Sequence, residues 1–136
     1  MDGSEAAHRA VEFLARCPFK GPAQVKVVTV WPAGRPDGRG LPAGPAGRSE
    51  LNQVVEDKGQ ELLRNISAEC RKESYRLVTE LLHGDPAFAI LDAAVRDQSQ
   101  IIIIGSRGSK AIKRFLLGSV SEKVLVHAPC SVLIVR

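Results

Sequence analysis

The 136-residue sequence is short of aromatic rings, at 4% of residues with one tryptophan and one tyrosine. That leaves few surfaces on which nucleic-acid bases could stack. The charge surplus of +4, from 19 basic against 15 acidic residues, is also modest, so nucleic-acid binding is not expected. Cysteine is scarce as well. Cys17, Cys70 and Cys130 are odd in number and far apart, with no C-x-x-C pair and no histidine at ligand spacing. Neither a disulfide framework nor a zinc site is indicated, and a reducing compartment is expected. No apolar run approaches the ~20 residues of a bilayer span. Asp2, Glu5 and Arg9 stand where a secretory leader would need a basic patch and an apolar stretch, so the expectation is a cytoplasmic protein without a membrane partner.

What is present fits one α/β domain over residues 1–136. Apolar residues make up 44% and charged residues 25%, and a chain of this length buries roughly 68% of its unfolded surface, enough for a core without staples. Ala7, Ala10, Val11, Leu14 and Ala15 recur at helical spacing within residues 4–16. Residues 24–31 alternate and are rich in valine, as a half-buried strand requires. Residues 32–48 hold nine Pro or Gly in seventeen positions and are expected to form a flexible surface loop. A second helix is expected from Leu51 to about Arg71, then a strand from Tyr75 to Leu82. Asp85-Pro86 reads as a helix start, with an aspartate cap and a proline in the first turn. Ile101 to Ile104 suit a strand covered on both faces, central or nearly so in a parallel sheet. A helix over about 119–127 and a strand over Val132–Val135 complete an alternation that predicts a doubly wound sheet.

Open parallel sheets bind ligands beyond the carboxyl ends of their strands. After Ile104 the chain reads G-S-R-G-S-K, and Gly118-Ser119 opens the last helix. Glycine lets a ligand approach main-chain N–H groups, and a helix start supplies free donors and a partial positive charge. Arg107, Lys110, Lys113 and Arg114 add positive charge to the segment. Together these could cradle a polyphosphate. A plainer reading stands beside it: Gly105 and Gly108 turn the chain, Ser119 and Glu122 form a capping box, and the charges are a solvated face. The segment is neither a P-loop nor G-x-G-x-x-G.

The whole pattern is more specific than its parts. Asp2-Gly3-Ser4 precedes the first helix, Val30 lies near the end of the first strand, and Gly84-Asp85-Pro86 opens a helix. Gly105-Ser106-Arg107-Gly108 and Gly118-Ser119-Val120-Ser121 follow, nine residues apart, before a Pro129-Cys130 to Val135 ending. Over nearly its full length the chain resembles the universal stress protein family in its ATP-binding branch. The resemblance implies an open parallel five-stranded sheet of order 3-2-1-4-5 with helices on both faces. It implies that Asp2 and Val30 meet the adenine and its surroundings, and that Ile104 and Gly105 line the ribose. Gly108 and Ser109, with Arg107 beside them, would meet the phosphates from one side, and Gly118, Ser119, Val120 and Ser121 from the other. A divalent cation, magnesium, would lie between the phosphates, and homodimers would form along the last strand, Ser131 to Val135.

The family's first, central strand is represented here by Met1 alone. Each backbone group buried unpaired in its place costs on the order of 1–3 kcal/mol, against a net domain stability of ~5–15 kcal/mol. His8, His83 and His127 are isolated from nucleophilic partners, and Cys130 has no evident base, so all four read as structural. No carboxylate stands out as a base to activate water, and rapid ATP hydrolysis is not expected. Three functions follow: a nucleotide-dependent regulatory module, a nucleotide-free dimeric scaffold, and a slow ATPase or phosphotransferase.

Overall fold

The structure is a computed structural model. It describes residues 2–18, 21–31, 57, 59–61, 64–65, 75–107 and 117–136. The loop 32–48, most of the second helix, Cys70, and the stretch holding Gly108, Ser109, Lys110, Lys113 and Arg114 lie outside the described residues. Of the expected second helix, residues 57, 59–61 and 64–65 are described, and they are helical.

Helix α1 (Glu5–Arg16) is preceded by its N-cap Ser4, whose Oγ accepts from the Ala7 N–H at 3.2 Å. Its inner face is Ala6, Ala7, Ala10, Val11 and Leu14, all buried. Strand β1 (Ala23–Trp31) pairs in parallel with β2 (Tyr75–His83), with Val27 opposite Thr79 and Val28 opposite Glu80. Helix α2 (Pro86–Arg96) starts as expected: Asp85 Oδ1 accepts from Ala87 N–H at 3.0 Å and Phe88 N–H at 3.2 Å. Strand β3 (Ile101–Gly105) pairs in parallel with β4 (Ser131–Val135), and α3 (Ser119–His127) lies between them in the chain.

Side chains alternate across a strand, so β1 presents two different faces. Val25 and Val27 join Leu77, Leu81 and Val11 of α1 in an apolar cluster, while Lys26 turns to the opposite face. There its Nζ meets Glu80 Oε2 at 2.9 Å and Asp97 Oδ2 at 2.6 Å, just past α2. Arg96 completes the cluster, with Nη2 2.6 Å from Glu80 and Nε 3.1 Å from Asp97. Glu80 is held below the usual carboxylate range chiefly by the Lys26 ammonium, and Asp97 chiefly by the Arg96 guanidinium. Asp97 raises Lys26 above the usual lysine range, with Glu80 adding to the effect. The cluster ties the C-terminal end of α2 to the β1–β2 sheet.

The elements follow the α/β alternation expected, with parallel strands and helices on both faces. The described strands form two two-stranded sheets, β1–β2 and β3–β4, instead of one continuous sheet. Helix α1 packs on β3 and β4 and reaches β1 through Val11, while α2 packs on β1, β2 and α3. Ile101 to Ile104 are therefore less enclosed than their sequence suggests. β3 has one strand neighbour among the described residues, and Ile101 is 50% exposed.

Candidate functional site

The carboxyl end of β3 is where separate elements converge. Gly105 packs directly under α1: a Cβ there would lie 2.6 Å from the Ala6 carbonyl carbon and 2.8 Å from the Ala7 nitrogen. Glycine is therefore required by the close approach of helix backbone to strand, whatever else the position does. One residue on, the Ser106 N–H donates to Val135 O at 2.7 Å, extending the ladder one residue past the end of β3. The Ser106 carbonyl then accepts from the Gly118 N–H at 2.8 Å and from the Ser121 hydroxyl at 3.0 Å. Arg107, half-buried, offers its carbonyl to the Ser4 hydroxyl at 3.2 Å. The ends of β3 and β4 and the starts of α1 and α3 are thus joined through Ser106 and Arg107.

The two helix starts at this point differ. Ser4 caps α1 with its own side chain, and the Asp2 carboxylate accepts from the Ser4 N–H at 3.0 Å across Gly3, which sits at φ +72°. The residue capping α3 is Gly118, with no side-chain cap bond. This corrects the expected capping box: Ser119 is the first helical residue, one position too late to cap, and the Gly118 N-cap has no side chain with which to do so. Gly118 adopts φ −70° and ψ 152°, a conformation open to any residue, so its backbone does not require glycine. The Ser121 hydroxyl is directed back to Ser106 and to Gly118 O at 2.9 Å. Among the described residues, the first-turn N–H donors of α3 therefore receive no side-chain cap from the N-cap position.

Ser106 is 3% exposed, and its Oγ has no hydrogen-bond partner among the described residues. Such a group ordinarily costs free energy and needs a partner. Sequence reasoning did not single it out. The available signal was its position directly after the strand-ending glycine.

The site residues named from the sequence are placed as follows. Asp2, Ile104, Gly105, Arg107, Gly118 and Ser121 belong to the elements meeting at this end of the β3–β4 sheet. Ser119 is exposed and Val120 half-buried in the first turn of α3. Val30 lies on the separate β1–β2 sheet, half-buried opposite Leu82. Gly108 and Ser109 are outside the described residues. His8, His83 and His127 are exposed on three different elements. No described helix is long and apolar enough to cross a membrane.

The sequence model of the universal stress protein family matches residues 1–136. A putative universal stress protein of Staphylococcus epidermidis, SERP1273, is 30% identical over 100% of this chain and 80% of its own length. Universal stress protein MJ0531 of Methanocaldococcus jannaschii is 36% identical over 98 residues, which are 71% of this chain and 56% of the relative. The chain thus spans little more than half the length of that curated relative. The solved structure of the protein MJ0577 superposes with a TM-score of 0.85 at 25% identity, covering 99% of this chain and 90% of the other. The chain belongs to the universal stress protein family.

Proposed function

We propose that this protein is an ATP-binding regulatory module of the stress response. In this reading the triphosphate lies at the carboxyl end of β3, and the occupied and empty forms present different surfaces to a partner. The observation that carries the proposal is the start of α3. Gly118 leaves the first-turn amides without a side-chain cap, although its own dihedrals do not call for glycine. A Cβ-free position facing free N–H donors suits an anionic ligand that comes close to the main chain.

Several features fit the triphosphate. Amides of Ser119, Val120 and Ser121 supply donors and the partial positive charge of a helix start. The buried Ser106 hydroxyl is one more donor in need of a partner. Arg107 brings positive charge, and Gly108 and Ser109 would close the phosphates from the other side. Asp2 and Val30 would frame the adenine, and Ile104 and Gly105 the ribose. No group of three His, Cys, Asp or Glu side chains suited to a metal is found among the described residues. Magnesium, in this reading, is held mainly by phosphate oxygens.

The same reading places the protein in the cytoplasm as a homodimer paired along β4, whose outer edge has no strand neighbour among the described residues. It arranges the strands in the order 3-2-1-4-5, with β2, β1, β3 and β4 as its outer four. Catalysis is at most slow hydrolysis. The test is nucleotide extraction from natively purified protein, together with thermal unfolding in added Mg-ATP. Bound adenine nucleotide and a raised midpoint support the module. A nucleotide-free extract with an unmoved midpoint favours a dimeric scaffold that binds none.

A further inference from the structure

Helix α3, whose start carries the main-chain donors of the nucleotide reading, is thinly anchored by apolar contact. It buries two side chains, Ser121 and Val124, while Leu125 and Val126 are 46% and 69% exposed. Toward β3 its first turn is held by polar contact, through Ser121 and Gly118 to the Ser106 carbonyl. Lys123 stands on another side. Residues two apart on a helix point about 200° away from each other, so Ser121 and Lys123 leave α3 in nearly opposite directions.

The lysine reaches the start of α2, where two groups receive it. Its Nζ lies 5.9 Å from the centroid of the Phe88 ring, within the range in which an aromatic face attracts a cation, and 3.9 Å from Asp85 Oδ2. The other oxygen of that carboxylate, Oδ1, accepts from the Ala87 and Phe88 amides and caps α2. Asp85 therefore ties α2 to α3 with its two oxygens. Phe88 is 64% exposed, so burial does not account for its ring, and the ammonium over its face is its link to α3. Each contact is weak at sites this exposed. Weak contacts set the geometry here because α3 has little apolar burial to set it otherwise.

We propose that Lys123 is a positioning residue of the nucleotide site: braced on Asp85 and Phe88, it sets where the first-turn amides of α3 point. The assignment rests on the nucleotide reading above. Lys123 makes no contact with the phosphates in this account and acts through the helix that carries it. Ser106 fixes the start of α3 from the sheet side, and the Asp85–Lys123–Phe88 group fixes the following turn from the side of α2.

The test uses the full chain, with calorimetric titration of Mg-ATP and, without nucleotide, amide hydrogen exchange along α3. Lys123→Met should weaken Mg-ATP about threefold or more. It should also speed exchange of the Glu122 amide, which donates to Gly118 O. Lys123→Arg, which keeps the cation, should restore both. In a background of Asp85→Asn and Phe88→Leu, which keeps the acceptor that caps α2 but removes both receiving groups, Lys123→Met should cost almost no further affinity. An equal loss in both backgrounds overturns the proposal, because the ammonium would then act on the phosphates directly by its charge. Faster exchange with unchanged affinity overturns it too, since the brace would serve stability alone. No binding by wild type overturns the nucleotide reading and this assignment with it, whereas wild-type binding that Lys123→Met leaves unchanged overturns this assignment only.

Discussion

The carbonyl oxygen of Ser106 accepts the hydroxyl of Ser121 at 3.0 Å, and through that bond the end of β3 fixes where α3 begins. Both residues are buried, at 3% and 2% exposure, so the bond is shielded from water. Replacing Ser121 with alanine removes it and the 2.9 Å contact to Gly118 O, while Ser106 O keeps the Gly118 N–H. The expected loss is about 1 kcal/mol of stability, measured by urea unfolding. ATP affinity should fall as well, because the start of α3 is then less firmly placed.

Gly105 allows no side chain. A methyl there would meet main-chain atoms of Ala6 and Ala7 at 2.6–2.8 Å, and neither can swing aside as a flexible side chain would. Gly105→Ala should therefore destabilise by about 1–3 kcal/mol through overpacking. Gly3→Ala, where no atom lies within 4 Å of the added carbon, tests strain at positive φ without a clash. Denaturant midpoints of the two variants separate steric from conformational cost.

Much of this architecture was legible in the sequence because it rests on local signals. The spacing of Ala7, Ala10, Val11 and Leu14 gave α1, and Asp85-Pro86 gave the start of α2, since caps and periodicity act within a few residues. The isoleucine run reads correctly as a strand, but its neighbours depend on contacts distant in the chain, and β3 has one strand partner among the described residues where the sequence leads one to expect a central or nearly central position. At α3 the Ser119–Glu122 spacing suggested a capping box. The helix starts one residue earlier than that spacing requires, a shift that depends on Gly118 being held by the distant Ser106. The buried Ser106 hydroxyl and the Ser4–Arg107 bond were invisible for the same reason.

Asp85 accepts from two amides at the start of α2. Asp85→Ala should cost about 1 kcal/mol, and Asp85→Asn, which keeps the acceptor, should recover most of it. Thermal unfolding of the two variants is the check.

The charged cluster of Lys26, Glu80, Arg96 and Asp97 predicts a pH dependence. Glu80 and Asp97 have folded pKa values below their unfolded ones. Their contribution is therefore full above the ordinary carboxylate range and is lost as pH falls through the lowered values. Lys26 has the opposite sign: its contribution is full below the ordinary lysine range and is lost as pH rises through its raised value. Lys26→Met should lower the unfolding midpoint at neutral pH, and the difference from wild type should shrink as both carboxylates protonate. A difference that stays constant from neutral to strongly acid pH would show that the charges are not responsible.

The nucleotide reading rests on main-chain donors at the glycine-capped start of α3, and calorimetric titration of Mg-ATP into wild type and Gly118→Val tests it most directly. Valine is compatible with the extended dihedrals of residue 118, so the variant should unfold close to the wild-type midpoint. The account predicts saturable binding at one site per chain in wild type and none in the variant. Equal affinity in the two folded proteins, or no binding by wild type, would contradict it.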